Sequence, residues 1–410
     1  MTDLLFDVLV IGAGAAGLGA ARTLRDGGAR VAIVEARSRV GGRAFTAQHG
    51  WPLDMGAGWL HSADRNPLVE VAQGLGFKID RSTPPWQKAN DQPDFPRSEQ
   101  REFRKAMDAF FERVEAAARD PQDRAASTLL EPGNRWNPMI DAVSAYVNGT
   151  ELDGLSVKDF DNYHDTEVNW RVERGYGALM EKISEGLSVF LDHPVIRIDH
   201  SGAQVRVETT KGPFAADTVI VTVPTNVIAS GMIEFDPALP DKLNAAAHLP
   251  LGHDNKLFLS LDGAEEFEAD SRLYGRRETS ATASYHIRPF GRPLIEAYFG
   301  GRLARELEAQ GLEGFGRFAI DQLAATLGDR ICNRLKPLAV SMWSSDPFAG
   351  GSYSHALPGH WDKRAVLAAP AGDRLFFAGE ACSAHDFSTV HGAWITGVEA
   401  AKKILAAQNR

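Results

Sequence analysis

Between Asp7 and Glu35 the chain reads DVLVIGAGAAGLGAARTLRDGGARVAIVE, and little else in it restricts the fold as tightly. DVLVI is a short apolar run rich in β-branched residues, which reads as a strand buried on both faces of a parallel sheet. Gly12, Gly14 and Gly17 follow in GxGxxG spacing. Leu18, Ala21 and Leu24 then recur at helical intervals until Gly27 and Gly28 end the pattern. A second apolar run, ARVAIVE, closes on Glu35. Strand, glycine turn, helix, strand and acid, in this order, describe a dinucleotide-binding unit. Gly12 permits the tight turn, Gly14 lets the backbone approach a pyrophosphate, and Gly17 lets the helix pack close to the strand. The free N–H groups at the helix start, near Ala15 and Ala16, carry partial positive charge toward the phosphates. Glu35, with Ala36 and Arg37 beside it, can accept hydrogen bonds from a ribose diol and would repel a 2′-phosphate.

A simple nicotinamide-nucleotide domain does not need the RSRVGGR that comes next. Gly41 and Gly42 would let the chain pass close to a second length of cofactor, and Arg43 could pair with a phosphate. A flavin dinucleotide lying extended through the domain would use both. Further on, PLDMGAGWLHSADRNPL brings Gly56, Ala57 and Gly58, a patch against which a flat ring could lie, with Trp59 beside it. The same patch could be a plain turn before a helix starting near Asn66 and Pro67. Close to the other end, LFFAGE is a strand running into Gly379 and Glu380, and a helix with small residues at its start follows from Val390.

Together these stretches resemble the flavin-containing amine oxidase family, which carries a GxGxxG–acid–GGR beginning, a GA-x-W patch, a W…DP…GGSYS segment and an FAGE…TVHGA ending. All four occur in order in this chain. GAGWLHSADRNP and STVHGAWITG are most similar to polyamine oxidases of the acetylpolyamine and spermine type. The resemblance implies an α/β flavoprotein of two domains. A discontinuous Rossmann-like FAD domain would be built from residues 1–84, 184–243 and 371–410. An α+β substrate domain would be built from 85–183 and 244–370. The segment PVIRIDHSGAQVRVETTKGPFAADTVIVTVP fits the first, as alternating strands with turns at Ser201–Gly202 and Lys211–Gly212; family likeness puts Val195 at the adenine end. SEQREFRKAMDAFFERVEAAARD fits the second, as an amphipathic helix with Phe103, Met107, Phe110, Phe111 and Val114 on one packing face. PPWQKANDQPDFP reads as a loop-rich linker.

The resemblance also assigns the chemistry. Lys256, at or just before the start of a strand, falls where a lysine meets flavin N5 through a water; such a lysine, buried beside a neutral ring, is expected to have a lowered pKa. Trp343 packs on the flavin, and Tyr353 stands at one wall of an aromatic cage that holds an amine by its π surface. The second wall aligns with Thr389, a departure that puts a two-ring cage in doubt and is shared with several polyamine oxidases. Ser352 stands where monoamine oxidases bond covalently to their flavin through cysteine, so FAD is expected to be noncovalent. Cys382 lies outside that motif and reads as a small buried residue. His61 either lies near the bound amine or is a surface histidine preceding a helix. Asp159, Asp161, Asp165 and Glu167 either line an entrance that attracts a polycation or form a solvated loop.

The implied reaction oxidises a C–N bond of a small, cationic amine, with dioxygen as electron acceptor and hydrogen peroxide as product. A related amino-acid oxidase or a desaturase-type flavoprotein would share the FAD motifs; an interaction scaffold stabilised by FAD would not need Lys256 and Tyr353. The formal charge of −10, from 54 acids against 44 bases, argues against a nucleic-acid binder. No apolar run reaches the roughly 18 residues of a membrane span, no signal peptide is legible, and two cysteines outside metal-like spacing exclude a disulfide framework and a zinc site. A reduced, cytoplasmic setting is the expectation.

Overall fold

The computed structural model describes residues 4–88 and 92–408. The run beginning at Leu4 forms the strand Leu4–Ile11, paired in parallel with Gly212–Val221 on one side and Val31–Val34 on the other. These belong to an eight-stranded sheet in the order 234–236, 195–199, 205–209, 212–221, 4–11, 31–34, 189–190, with Leu375–Phe377 also paired in parallel to Gly212–Val221. Strands 195–199, 205–209 and 212–221 form an antiparallel meander, with turns where the Ser201–Gly202 and Lys211–Gly212 signals lie.

The central strand shows why this sheet needs cover on both faces. Val8 and Val10 point into one core, shared with Leu18, Ala21 and Leu24 of the helix Ala15–Asp26 and with Trp394 and Ala401 of the C-terminal helix Val390–Gln408. Leu9 and Ile11 point into the opposite core, shared with Val207, Phe214, Val227 and Ala245. All four are buried completely or nearly so. The register aligns Ile11 with Val34 and with Val221, and Val221 with Phe377. Four parallel strands therefore end at one level, and Gly12, Glu35, Thr222 and Ala378 all begin the loops above them. Crevices at the carboxyl ends of such strands are where α/β sheets bind ligands.

A second, five-stranded sheet is antiparallel throughout, in the order 271–274, 284–287, 294–300, 254–261, 335–340. Its Leu257, Leu259, Ile295, Ala297, Tyr285 and Ile287 face a core closed by the helices Gly301–Glu308 and Gly311–Leu327. By the two-residue period of strands, Lys256, Tyr298, Glu296, Ser284 and His286 belong to the other face. The helices Arg97–Ala118 and Asn137–Asn148 pack around Phe95, Phe103, Phe110, Val114, Trp136 and Ile140.

Three expectations are corrected. Residues 172–183, counted with the substrate part, bury Val172, Tyr176, Leu179, Met180 and Ile183 in the first core of the parallel sheet, because the helix Tyr176–Ser184 lies against it. On Arg97–Ala118, Phe103, Phe110 and Val114, with Met107 against them, form the expected packing face, but Phe111 departs from it and is 45% exposed. Asp159 is no part of an acidic entrance: it is fully buried, and Arg364 grips both of its oxygens at 2.6 and 2.8 Å. Residues 89–91 of the linker segment lie outside the described residues; Pro85–Gln87 forms a short 3-10 turn. Among the described residues no helix is long and apolar enough to cross a membrane.

Candidate active site

One cavity of about 810 Å³ runs between the two sheets. At its first end lies the glycine turn. Gly12 has φ +104°, and a Cβ on it would sit 2.7 Å from Thr222 Oγ1, so only glycine fits the turn. Gly17 does not line the cavity: its Cβ would lie 1.9 Å from the Gly12 carbonyl oxygen, the close helix-to-turn packing read from its spacing. Gly14, Ala15 and Ala16 line the cavity. Glu35, 4% exposed, is held at the end of its strand by the Ala13 N–H, which donates to Oε2 at 2.7 Å, and by the Arg37 N–H, which donates to Oε1 at 2.9 Å. Arg37 pairs with Asp346 at 2.5 Å. Ala36, Arg37 and Val195 line the same end.

In the middle of the cavity, Gly42 and Arg43 meet Gly379, Glu380 and Val390. The Arg43 charge, expected to face a phosphate, is already balanced: Nη1 donates to Glu380 Oε1 at 2.9 Å and to the Ser352 carbonyl at 2.6 Å. Burial alone would raise the Glu380 pKa, but Arg43, the Ser354 hydroxyl at 2.6 Å and Arg364 hold it below the usual carboxylate value. The Ser352 hydroxyl donates to the Gly252 carbonyl at 2.9 Å.

The far end holds the residues read as chemical. Trp343 is buried and donates Nε1–H to the Met55 carbonyl at 3.1 Å, under the patch Gly56, Ala57, Gly58. A Cβ on Gly58 would lie 3.0 Å from Lys256 Nζ, so the lysine tip abuts that patch. Trp59 leans edge-on against Trp86, with centroids 4.5 Å apart, and its Nε1–H points to the Tyr298 hydroxyl at 3.5 Å. Tyr353 donates its hydroxyl to the Tyr146 carbonyl at 2.5 Å. Thr389 donates to the Asp386 carbonyl at 2.6 Å and accepts from Gly392 N–H, capping the start of the last helix. His61 meets Asn169 Oδ1 through Nδ1 at 2.6 Å; burial lowers its pKa despite the nearby Asp165 carboxylate. It is a partly buried residue of the cavity wall, where burial disfavours its charged form. Of the four acids read as an entrance, Asp165 alone lines the cavity.

Lys256 overturns one expectation. Burial does oppose its charge, but Glu296 at 2.9 Å outweighs it, helped by Tyr298 and Asp54, and the ammonium pKa is raised rather than lowered. Glu296 is correspondingly held well below a normal carboxylate: burial opposes this, and Lys256 and His286 prevail. Asp54 goes the other way, to about 6, because its burial outweighs Lys256 and the Thr46 hydroxyl. Sequence reading passed over Glu296, His286, Asp54, Tyr298, Asn169 and Arg272. One signal was present: in LIEAYFG a lone acid interrupts an otherwise apolar strand.

The cavity fits FAD. Gly14 and Gly379 border it, and a Cβ on either would meet no protein atom within 4 Å, so a side chain there would occupy the space itself. Backbone N–H groups at the start of Ala15–Asp26 and a pinned acid at the end of Val31–Val34 are the donor and acceptor that a pyrophosphate and a ribose require.

Comparison with known proteins agrees. The model for flavin containing amine oxidoreductases matches residues 15–405. Polyamine oxidase 4 of Oryza sativa subsp. japonica is 31% identical, over 97% of this chain and 89% of its own. Polyamine oxidase 2 of Arabidopsis thaliana is 32% identical, over 96% of this chain and 87% of its own. A structure of wild-type putrescine oxidase bound to putrescine shares the fold, with a TM-score of 0.81 at 21% identity, over 98% of this chain and 99% of that one. With the family model spanning nearly the whole chain, the protein belongs to the flavin-containing amine oxidoreductase family.

Proposed function

We propose that this FAD-dependent amine oxidase acts on aliphatic polyamines, cutting a C–N bond with dioxygen as acceptor and releasing hydrogen peroxide. The observation that carries the reading is continuity: the space lined by Gly14 and Glu35 is the same cavity that Lys256, Tyr353 and His61 line. A cofactor stretched from the first group would end beside the second.

FAD, when bound without a covalent link, supplies the acceptor for a hydride equivalent from the carbon next to the substrate nitrogen. The chain binds and orients. Gly12, Gly14, Ala15, Ala16 and Gly17 form the phosphate turn, with Glu35, Ala36 and Arg37 at the ribose and Val195 at the adenine. Gly42, Arg43, Gly379, Glu380 and Val390 flank the middle of the cofactor, and Gly56, Ala57, Gly58, Trp59 and Trp343 the ring. Tyr353 and Thr389 border the amine. His61 donates Nδ1–H to Asn169, which leaves Nε2 free to accept a hydrogen bond from a substrate ammonium. Asp165 on the cavity wall suits a second positive charge; Asp254 lines it too, but burial raises its pKa well above the usual carboxylate range. Cys332 and Cys382 are free thiols, which accords with a reduced, cytoplasmic setting.

A second reading has one observation in its favour. Arg272 lines the cavity, held by Ser284 Oγ at 2.9 Å and the Tyr274 hydroxyl at 3.1 Å, and an arginine is what an amino-acid oxidase uses for a carboxylate. Anaerobic flavin bleaching with spermine, N-acetylspermine, benzylamine and leucine separates the two. Spermine or its acetyl derivative is expected to bleach fastest. Leucine alone would establish the amino-acid reading, and silence with all four would leave a desaturase or a scaffold.

A further inference from the structure

The wall around Lys256 is a chain of linked polar side chains. Lys256 Nζ lies 2.9 Å from Glu296 Oε1, and Glu296 Oε2 lies 3.7 Å from His286 Nδ1. His286 Nε2 then meets Asp270 Oδ1 at 2.9 Å; Asp270 and Asp80 share Arg171 Nη2 at 2.8 and 2.5 Å. Sheet register builds this. Lys256 pairs with Tyr298 and Glu296 with His286, so lysine and glutamate are diagonal neighbours on the cavity face. The Lys256 and Glu296 side chains are only 6% and 11% exposed.

We propose that Glu296 is a positioning residue that locks Lys256 as a permanent ammonium ion against Gly58, so that this lysine serves as a fixed positive charge and hydrogen-bond donor rather than as a proton acceptor. The proposal rests on the reading that Lys256 borders the flavin ring, and it changes what that lysine can do there. A lysine buried without a partner sheds its proton, because desolvation penalises the charged form. Removing one member of a buried pair leaves the other uncompensated. Every charged or titratable group facing Lys256 bears on the lock. Asp54 comes from the strand Pro52–Asp54, His61 from the loop after Gly58, and Asp254 from its own strand. Tyr298 and Glu296 come from Leu294–Gly300, and His286 stands behind Glu296. Among these, Glu296 is the carboxylate in direct contact with Nζ. Asp54 accepts from Thr46 Oγ1 at 2.5 Å and the Tyr176 N–H at 2.9 Å, both through Oδ1, and adds its field to Lys256 without an ion-pair contact. His286 stands behind Glu296, its Nδ1 3.7 Å from Oε2, and is itself held through Nε2 by Asp270 at 2.9 Å.

The test reads the lysine directly. In holoenzyme labelled with carbon-13 lysine, the Cε resonance lost in Lys256→Met belongs to Lys256. It is expected to stay at its charged position up to about pH 10, where free lysines titrate. In Glu296→Gln the titration is expected to move down by at least about two pH units. Wild-type Lys256 titrating below about pH 10, or an unshifted resonance in Glu296→Gln, would overturn the proposal. If Glu296→Gln does not fold, the wild-type titration still decides. The midpoint potential of the bound flavin supplies a second readout. Glu296→Gln is expected to gain a break in its pH dependence that disappears in the Lys256→Met/Glu296→Gln double variant; a break that persists there would count against the lock. A flavin potential indifferent to Lys256→Met, with the NMR titration as expected, would instead sink the placement of Lys256 at the flavin and leave the lock standing.

Discussion

The two sheets share one cavity and furnish their halves of it by opposite means. Along the parallel sheet the lining is largely backbone: a turn at Gly12, the first N–H groups of Ala15–Asp26, and an acid pinned by the Ala13 and Arg37 N–H groups. These parts lie within one continuous stretch of about thirty residues, the span of a βαβ unit. Along the antiparallel sheet the lining is side chain, and its partners come from far apart. Trp59 and Tyr298 are 239 positions apart, Tyr353 and Tyr146 are 207, and Lys256 meets Glu296 from a neighbouring strand. The first half can be specified by local spacing. The second depends on buried charges that are stable only when every partner arrives, because a lone buried charge is costly.

That contrast can be broken at its ends. The largest effect belongs to Gly17→Val. With a Cβ already 1.9 Å from the Gly12 oxygen, no rotamer avoids the turn, and the expected result is loss of flavin-bound, soluble protein, read as absorbance per mole of chain. Near-normal flavin content would mean that the turn adapts, and the half attributed to the backbone would not be rigid. Next comes Arg364→Met, which strands Asp159 in the core. It should destabilise the chain by about 3–5 kcal/mol in denaturant unfolding, with much of that recovered in the Arg364→Met/Asp159→Leu double variant. A loss below about 0.5 kcal/mol, the range of ordinary surface changes, would show that a buried long-range pair of this kind tolerates the loss of a partner.

The smallest of the three sharpens the comparison by pH. The folded Asp54 pKa of about 6 lies above its unfolded value. Its contribution is therefore fully present below about pH 4 and is lost as pH rises through about 6, an effect of about 3 kcal/mol. Asp54→Asn keeps an oxygen for Thr46 and the Tyr176 N–H but removes the titration. Subtracting its stability-versus-pH curve from that of the wild type should leave a step in that window; a flat difference would mean that Asp54 is not desolvated as its position implies.

Legibility followed the same division. The glycine turn, the helix beginning after Asn66 and the hairpins around residues 201 and 211 were readable because each depends on neighbours in the chain. Lys256, Tyr353 and His61 were readable as candidates through family motifs, but their electrostatic state was not. The lowered pKa expected of Lys256 followed from burial alone, and no local pattern announced that Glu296 would stand opposite. Asp159 looked like one acid among four, and only its contact with Arg364 separates it from them. The apolar stripe of Arg97–Ala118 was correctly periodic, yet its period could not say that Phe111 would face solvent while Met107 reached the cavity.

Spacing in the chain was thus enough to determine the nucleotide-binding unit, since turns and helix starts are short-range consequences of backbone sterics; the flavin followed from the GGR segment and the family motifs. Strand register and domain packing decided the rest: which carboxylate meets Lys256, which acid is buried and which arginine reaches the cavity. The physical reason is that a charge takes its character from whatever lies within a few ångströms, and in the substrate half those neighbours are brought there by tertiary structure.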